Sequence, residues 1–394
     1  MTVALNHGFN SHRLRRVSII GGFLDGTRFG LADGMNCFIG ARGARKTTLA
    51  ERFFGDSLAF CYNLCMKPLN RLISSALILV FLLPIQLCHG WSEGGHHLIA
   101  AIAFSLLTDQ EQAELLAVLK QHPRFAEDFV PPENLANDEE QTRWLVGRAG
   151  YWPDVARKQP KYHRSTWHYE LGPTIVLGNP DGIVVPERPG SLPLDATLET
   201  QDLYLSQAVE LCRKVLSDKS QPAGDRAIAL SWIGHLVADS HQPCHAGSLY
   251  MEKVFVKKDG DRGANSIPTK QRQNMHALWD QLLGDEFAQR TNRRRFAEIT
   301  SSPQLTEIGR IAVSIPGGLD PLVWLGESRK AAIENVYAPE VLDSLSIVSR
   351  GIAEKPETLE LSEPYLKNAG RVAQVRAAEA AHRLAEVWRD CISE

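Results

Sequence analysis

The chain has 394 residues, of which 44% are hydrophobic and 23% charged, which is typical of a globular protein with one large or two modest domains. Residues 1–90 hold ten of its 43 Lys and Arg residues and four of its 46 Asp and Glu residues, leaving 33 and 42 for residues 91–394. This acidic balance argues against a protein that coats duplex nucleic acid through a basic surface. It is compatible with an enzyme that binds phosphate through metal cations.

The first 65 residues do not fit the rest of the chain. Ile19 and Ile20 precede a run from Gly40 to Lys46-Thr47 that resembles the strand and G-x-x-x-x-G-K-T loop of a phosphate-binding ATPase. Arg45 replaces the final glycine of that loop, and its side chain would crowd a bound phosphate. We interpret residues 1–65 as a spurious or vestigial segment upstream of a start at Met66. A nucleotide-binding ATPase fragment is the alternative for this segment.

Residues 66–90 have the pattern of a secretory signal peptide. Lys67 and Arg71 supply its positive charge, an apolar run of twelve residues follows, and Gly90 offers a small residue for cleavage. The apolar run is too short for a comfortable membrane span. We predict cleavage after Gly90, which makes residues 91–394 secreted or periplasmic, with no membrane attachment. An uncleaved anchor is the alternative.

Residues 91–394 are predicted to form one mostly α-helical domain. Apolar residues recur at helical spacing, and Thr108-Asp-Gln-Glu111 forms a capping box. The predicted helices are His97–Leu107, Thr108 to about Lys120, Leu203–Leu216, Asp225–Ala238, Met275–Leu283 and Ala369–Ile392. A small β-hairpin is predicted from Gly178–Pro186 and Val254–Lys257, and loops are predicted in residues 122–165 and 285–365. Three cysteines, Cys212, Cys244 and Cys391, leave room for one disulfide of unknown pairing.

Two predicted helices each carry a histidine and an aspartate four residues apart. His235 with Asp239, and His276 with Asp280, therefore project from one face of their helices. One such pair alone is often a core histidine with its carboxylate partner. Two pairs, with His245 just after Gln242-Pro243, favour a metal site, and this mixture of ligands suits Zn²⁺.

Further candidate ligands lie nearer the predicted mature terminus. Asp154 follows Trp152-Pro153 and His168 follows Trp167; taken alone, they would be a loop carboxylate and a histidine packed on aromatic rings. Trp91 favours a metal-binding interpretation of these residues instead. Its α-amine, once exposed by cleavage, and its carbonyl oxygen can chelate a metal. His96 is close enough in sequence to add a third ligand.

These motifs together resemble the zinc-dependent, single-strand-specific nucleases of the S1/P1 type. The resemblance rests on W-x-x-x-G-H at Trp91–His96, W-x-D at Trp152–Asp154, the aromatic-flanked His168, H-x-x-x-D…Q-P-x-H at His235–His245 and N-x-H-x-x-W-D at Asn274–Asp280. It covers residues 91–284 and extends towards the end of the chain. It implies an all-α fold built around a trinuclear zinc cluster.

The resemblance also implies which residues hold each zinc ion. Asp154, His168, His235 and Asp239 would hold one buried ion. The amine and carbonyl of Trp91, His96 and a bridging Asp239 would hold its neighbour. A third ion would lie on His245, His276 and Asp280. The resemblance leaves four other histidines as non-ligands, namely His97, His163, His241 and His382.

Catalytic and substrate-binding roles follow from the same resemblance. Asp154 would orient the attacking water or act as general base, Arg157 would contact phosphate, and Asn265 would belong to a glycine-rich substrate loop. Tyr169 could stack on a nucleobase. The chain departs from the family pattern at Ala264, where a second glycine is usual, and at Leu171, where Asp or Asn usually binds a base.

The predicted function is hydrolysis of phosphodiester bonds in single-stranded DNA and RNA to 5′-phosphorylated products, with 3′-nucleotidase activity. The substrate is nucleic acid or nucleotides, and no stable protein partner is implied. A zinc-dependent phospholipase C is the nearest alternative, although that relative commonly has Glu at the position of Asp280. A metal-stabilised binding protein without turnover is another alternative.

Overall fold

The computed structural model describes residues 90–177, 182–185, 187 and 189–393, and the backbone of three short strands near the amino terminus. These strands, β1 (Thr2–Ala4), β2 (Arg16–Ile20) and β3 (Arg28–Gly30), form an antiparallel sheet. The chain divides into Met1–Leu87 and Cys88–Glu394. The loop-like residues 40–48 and residues 66–89 of the predicted signal peptide lie outside the described residues, so both interpretations stay predictions.

Helices dominate the larger unit, in agreement with the all-α prediction. They are α1 (Glu93–Ser105), α2 (Asp109–Leu119), α3 (Phe125–Asp128), α4 (Asp138–Val155), α5 (Leu205–Ser217), α6 (Ala223–Ser240), α7 (Pro243–Ala246), α8 (Met275–Asp280), α9 (Gln289–Thr300), α10 (Pro303–Ser314), α11 (Pro321–Ala331), α12 (Pro339–Ser349) and α13 (Glu363–Ser393). All the predicted helices are present, and Thr108 closes its capping box with Glu111. Helices α1 and α13 begin earlier than predicted, at Glu93 and Glu363 rather than His97 and Ala369.

Helix α6 lies at the centre of the core, and every residue from Ala227 to Ser240 is buried. Helices α1, α4, α5 and α13 pack around it. A Cβ added to Gly234 would lie 3.2 Å from the Cα of Gly150, so paired glycines let α4 and α6 approach closely. This close crossing brings the backbone of α4 next to the functional face of α6.

The predicted loops contain several helices. Residues 122–165 include α4, which carries Pro153 within its last turn, and residues 285–365 include α9 to α12. Pro303, Pro321 and Pro339 each stand in the first turn of a helix, where proline leaves no backbone donor unsatisfied. Both segments contain loops as predicted, but their helices were missed, because these prolines begin helices.

One small parallel sheet lies beside the helices. Strand β4 (Gly172–Leu177) pairs with β5 (Gly247–Met251), with a register shift between Pro173 and Ile175. Of the predicted hairpin segment Gly178–Pro186, residues 178–181 and 186 lie outside the described part, so the hairpin stays a prediction. The N–H of Val184 donates to the carbonyl of Val256 at 3.0 Å, which joins the two segments at one point.

The cysteines and the helix lengths give two further findings. Cys212, Cys244 and Cys391 are buried, reduced thiols rather than halves of a disulfide. Among the described residues, none of the helices combines the length and apolar character needed to cross a bilayer.

His122 is a buried histidine that packs on aromatic rings between α2 and α4. Its ring lies edge-on to Trp152 at 4.2 Å, and its Nδ1 accepts a hydrogen bond from the backbone N–H of Arg124 at 3.2 Å. Burial lowers the pKa of His122 from 6.5 to about 4. Folding therefore favours the neutral ring.

The lowered pKa of His122 should be detectable in the pH dependence of the free energy of unfolding. Between pH 6.5 and 4 the unfolded chain binds a proton that the folded chain does not, so stability present above pH 6.5 is lost as the pH falls. Replacing His122 with Phe should reduce the slope of unfolding free energy against pH by up to about 1.4 kcal/mol per pH unit. Urea unfolding across this range measures the slope; identical slopes in both proteins would contradict the assignment.

Candidate metal centre

The first two candidate ligands of the metal centre are the side chains of His235 and Asp239. They lie one turn apart on α6, both are fully buried, and His235 Nε2 is 3.1 Å from Asp239 Oδ2. The helical spacing predicted for this pair is thus realised on one face. That face points to the space where α1, α4 and the segment after α4 meet.

Helices α1 and α4 bring His96 and Asp154 to the same space. The ring of His96 stacks on that of His235 with centroids 4.0 Å apart, and its Nε2 is 3.3 Å from Asp239 Oδ1. Asp154 Oδ1 lies 3.8 Å from His235 Nε2. Asp154, placed in the last turn of α4 by Pro153, is held by a helix rather than by a loop.

His168 completes this first group from a short 3₁₀ helix, Ser165–His168. Its Nδ1 is 2.8 Å from His235 Nε2 and 3.3 Å from Asp239 Oδ2. The two oxygens of Asp239 therefore face different partners, Oδ1 towards His96 and Oδ2 towards His168 and His235. A carboxylate so placed can bridge two metal ions.

A second group forms from α7, α8 and the chain between them. His245 stands in α7 directly after α6, while His276 and Asp280 lie one turn apart on α8. His276 Nε2 is 3.5 Å from Asp280 Oδ2, and His245 Nε2 is 3.9 Å from Asp280 Oδ1. The two imidazole centroids are 5.0 Å apart. These are the three residues that the resemblance assigns to one ion.

Backbone carbonyls orient three of the histidines in the same way. The Nδ1–H of His235 donates to Gly150 at 2.9 Å, that of His245 to His168 at 2.5 Å, and that of His276 to Gly263 at 2.6 Å. Each bond places the proton on Nδ1 and turns the Nε2 lone pair towards the carboxylates. This is the arrangement by which second partners orient metal-ligating histidines.

Charge compensation within the buried space is incomplete. Burial would raise the pKa of Asp154, but Arg157, followed by His235 and His168, outweighs this and lowers it. The pKa of Asp280 is instead raised well above its usual value, first by burial and then by the negative charges of Asp239 and Asp154. Three carboxylates in one low-dielectric space call for added positive charge.

Several buried polar atoms of the first group lack a hydrogen-bond partner. They are both ring nitrogens of His96, both oxygens of Asp154, Nε2 of His168 and Oδ1 of Asp239. Burial lowers the pKa of His96 to about 4 and that of His168 to about 3, so both rings keep a lone pair at neutral pH. Buried polar atoms are normally satisfied. Apart from the ion pair between Asp154 and Arg157, these lone pairs and carboxylate oxygens converge without donors, which fits metal ions.

Within the described part of the chain, three sets of side chains could each hold an ion. Their ligand atoms lie within 4.8 Å of one another, and the sets are His96, Asp154 and His235; His168, His235 and Asp239; and His245, His276 and Asp280. The four histidines expected to be non-ligands, His97, His163, His241 and His382, belong to none of these sets.

Trp91 lies at the edge of the first group. Its indole N–H donates to the carbonyl of Ala238 at 3.0 Å, and the next residue, Ser92, donates its N–H to the carbonyl of Asp280 at 3.0 Å. A Cβ placed on Gly90 would lie 1.6 Å from Asp239 Oδ1. Residue 90 is therefore directly against the carboxylate that faces both His96 and His168.

The three expected substrate-binding residues are all partly accessible beside the groups. Arg157 Nε is 2.6 Å from Asp154 Oδ1, with 12% of its side chain exposed. Tyr169 follows His168. Asn265 donates its amide N–H to the carbonyl of Arg262 at 2.9 Å, in the loop whose Gly263 carbonyl orients His276.

The loop that carries Asn265 has an unusual backbone. Arg262, Gly263 and Ala264 have φ of 63°, 62° and 67°, in the left-handed region that favours glycine. Buried Asp261 anchors the loop by accepting hydrogen bonds from the Leu249 N–H at 3.0 Å and the Tyr337 hydroxyl at 2.8 Å. Ala264, noted above as a departure from the family pattern, thus adopts the conformation for which glycine is best suited.

Sequence reasoning missed the polar groups behind the centre. Gln242 donates to Asp280 Oδ1 at 2.6 Å, and only its place in the Q-P-x-H motif could have signalled this. At the end of α6, Ser328 donates to the Ser240 carbonyl at 2.6 Å, and Arg376 donates to Ser328 at 2.8 Å. Fully buried Arg383 makes two bonds to Glu327, at 2.6 and 2.9 Å, and lies 2.9 Å from His241.

Removing the negative charge of Glu327 should destabilise the fold, because Arg383 would keep a buried positive charge without its carboxylate, whereas Arg376 would retain Glu379. Glu327→Gln should lower the free energy of unfolding by about 2 kcal/mol, allowing for the partial exposure of Glu327. Glu307→Gln, which breaks an exposed pair with Arg310, is the matched control and should leave the free energy of unfolding nearly unchanged. If urea unfolding gave equally small losses of unfolding free energy for Glu327→Gln and Glu307→Gln, the buried ion pair would contribute no more to stability than the exposed one.

Comparison of the sequence with models of known protein families identifies one matching family. A family model described as S1/P1 Nuclease matches residues 91–393, which is most of the chain and includes every residue of both groups. A comparison with curated proteins gives no match.

Proposed function

We propose a specific activity from the premise that the chain belongs to the S1/P1 nuclease family, whose members are zinc-dependent phosphodiester hydrolases. The chain is accordingly a nuclease, and residues 90–393 contain three His/Asp groups able to bind metal. The proposed activity is endonucleolytic cleavage of single-stranded DNA and RNA to 5′-phosphorylated products, with removal of 3′-phosphate from nucleotides. The convergence of the two ligand groups around Asp239 is the observation that carries the proposal.

Three zinc ions would occupy the centre. Asp154, His168, His235 and Asp239 would hold the first ion. Asp239 would share the second with His96 and with the amine and carbonyl of Trp91, once cleavage after Gly90 frees that amine. The opposite orientation of the two Asp239 oxygens supports this sharing. His245, His276 and Asp280 would hold the third ion.

The chemistry of the bound ions would be to acidify water and to neutralise charge on the reacting phosphate. Arg157 and the imidazoles of His235, His168 and His96 lower the pKa of Asp154 against the effect of burial. The ionised carboxylate is therefore suited to accept a hydrogen bond from the attacking water and to orient it. Arg157, partly exposed beside Asp154, would contact a phosphate oxygen and stabilise the charge that develops on it. Asn265 would add a neutral donor from the neighbouring loop.

The burial of the centre explains the proposed preference for single strands. Each His and Asp ligand is at most 9% exposed, so a reacting phosphate must come close to the protein interior. A stacked duplex holds its phosphates away from such a position, whereas a single strand can bend towards it. Tyr169, half-buried next to His168, could stack on any base, which supports cleavage with little base preference.

The substitution Asp239→Asn tests the shared ligand. It should remove at least one zinc ion and reduce cleavage of single-stranded DNA by about 10²-fold or more, since it weakens two ion sites at once. Zinc content per protein by mass spectrometry and turnover of a fluorescent oligonucleotide give the two readouts. The exposed Asp343→Asn on α12 is the matched control and should change neither.

Full zinc content together with full activity in Asp239→Asn would contradict shared ligation. A phosphatidylcholine assay run in parallel separates the phospholipase alternative. Lipid turnover by the unsubstituted protein with untouched DNA would overturn the nuclease assignment of the substrate.

The proposed processing site gives a further prediction. A chain that begins at Trp91 should bind one more zinc ion than a chain that keeps Gly90. In the longer chain the Trp91 nitrogen is an amide, and Gly90 lies against Asp239. Zinc titration of the two chains, with each amino terminus verified by intact mass, measures the difference. Equal stoichiometry would exclude the Trp91 amine as a ligand.

A further inference from the structure

A groove of about 360 Å³ lies between α9 and α13, apart from the metal centre. Buried apolar side chains, among them Leu98 and Leu283, lie beneath it, and most of the surface that the groove exposes is polar. Leu98 follows His96 by two residues on α1, which turns its side chain about 200° away from the metal-facing side. The groove therefore opens on a different side of α1 from the proposed zinc ligands.

Positive charges from two helices converge on this groove. Arg294 and Arg295 of α9 face Lys367 and Arg371 of α13, and Glu298 is the one carboxylate among the lining residues. Arg294 is 67% exposed and lies 3.5 Å from Glu298. Partial burial, and then the neighbouring Arg294, lower the pKa of Arg295. Four cations against one carboxylate contrast with the acidic balance of residues 91–394 and favour an anionic ligand.

Gly370 provides an independent observation. It stands inside the 31-residue helix α13, where glycine is less favourable than alanine because it loses more backbone freedom on folding. A Cβ at Gly370 would meet no atom within 4 Å, so packing does not require glycine there. Its absent side chain leaves the groove open along α13.

We infer that the groove between α9 and α13 is a second binding site for the phosphodiester backbone of a long single strand. The inference rests on the proposed nuclease function for the class of ligand. Cations on both rims can contact successive phosphates, and these charge contacts carry the binding. None of the lining residues is aromatic, so the site would retain the strand without reading its sequence.

The double substitution Arg294→Glu with Arg371→Glu tests this site in the zinc-loaded protein. The KM for a 30-residue oligothymidylate should rise about tenfold at low salt, and the slope of log KM against log salt should fall by about 1.4, as expected for two lost phosphate contacts. The dinucleotide d(TpT), which spans only the metal centre, should keep its kcat and KM. The matched control is Arg310→Glu with Arg350→Glu, two exposed cations on α10 and directly after α12, and it should leave the kcat and KM of both substrates unchanged.

A second variant separates groove binding from general electrostatic attraction. Gly370→Gln fills the groove without changing its charge, and it should also raise the KM of the 30-mer but not that of d(TpT). An unchanged 30-mer KM in either variant would overturn the inference. So would parallel changes for both substrates, or an equal effect of the control pair.

Failure of the proposed function would look different. In that case the unsubstituted protein would cleave neither substrate, and anisotropy of a fluorescent oligothymidylate would test the groove alone. Weaker binding by the Arg294→Glu/Arg371→Glu protein would uphold the site, and equal binding by the two proteins would exclude it.

Discussion

The burial of three carboxylates among five imidazoles is the constraint on which the rest of the structure depends. Asp154, Asp239 and Asp280 lie in one low-dielectric space, where negative charge is costly without nearby cations. Among the described residues, Arg157 is the one Arg or Lys side chain that forms an ion pair with these carboxylates. The negative charge that Arg157 does not neutralise explains why so many elements meet at this space. Helices α1, α4, α6, α7 and α8 each place a ligand atom where it could contact a cation. The fold can be understood as a helical frame around that charge.

The frame also sets the direction of each ligand. Carbonyl groups of Gly150 and Gly263 accept the Nδ1 protons of His235 and His276, so the backbone decides which ring nitrogen faces inwards. The Gly150–Gly234 contact allows α4 to come close enough for the first of these bonds. At the end of α6, Arg383 lies 2.9 Å from His241, the residue that caps the helix, and is itself bound by Glu327. The orientation of the histidine ligands thus depends on packing between residues that are far apart in the sequence.

Sequence patterns predicted the parts of the centre that are local. The spacing of His235 and Asp239 required only that α6 be a helix, and its continuous apolar surroundings predicted one. Asp154 was harder to place, because Pro153 is typical of a loop yet lies inside the last turn of α4. The helices at Pro303, Pro321 and Pro339 were missed for a related reason, since proline both ends and begins helices. The hydrogen-bond partners of the histidines could not be predicted from residue types, because they are backbone carbonyls. The pairing of β4 with β5 likewise depends on contacts between residues about 75 positions apart.

The central claim is that this buried cluster holds three zinc ions, two of them bridged by Asp239. Anomalous X-ray diffraction at the zinc absorption edge, on crystals of a chain that begins at Trp91, tests it most directly. The account predicts three peaks, two of them flanking the Asp239 carboxylate and one between His245, His276 and Asp280. A single peak, or peaks away from these side chains, would contradict it.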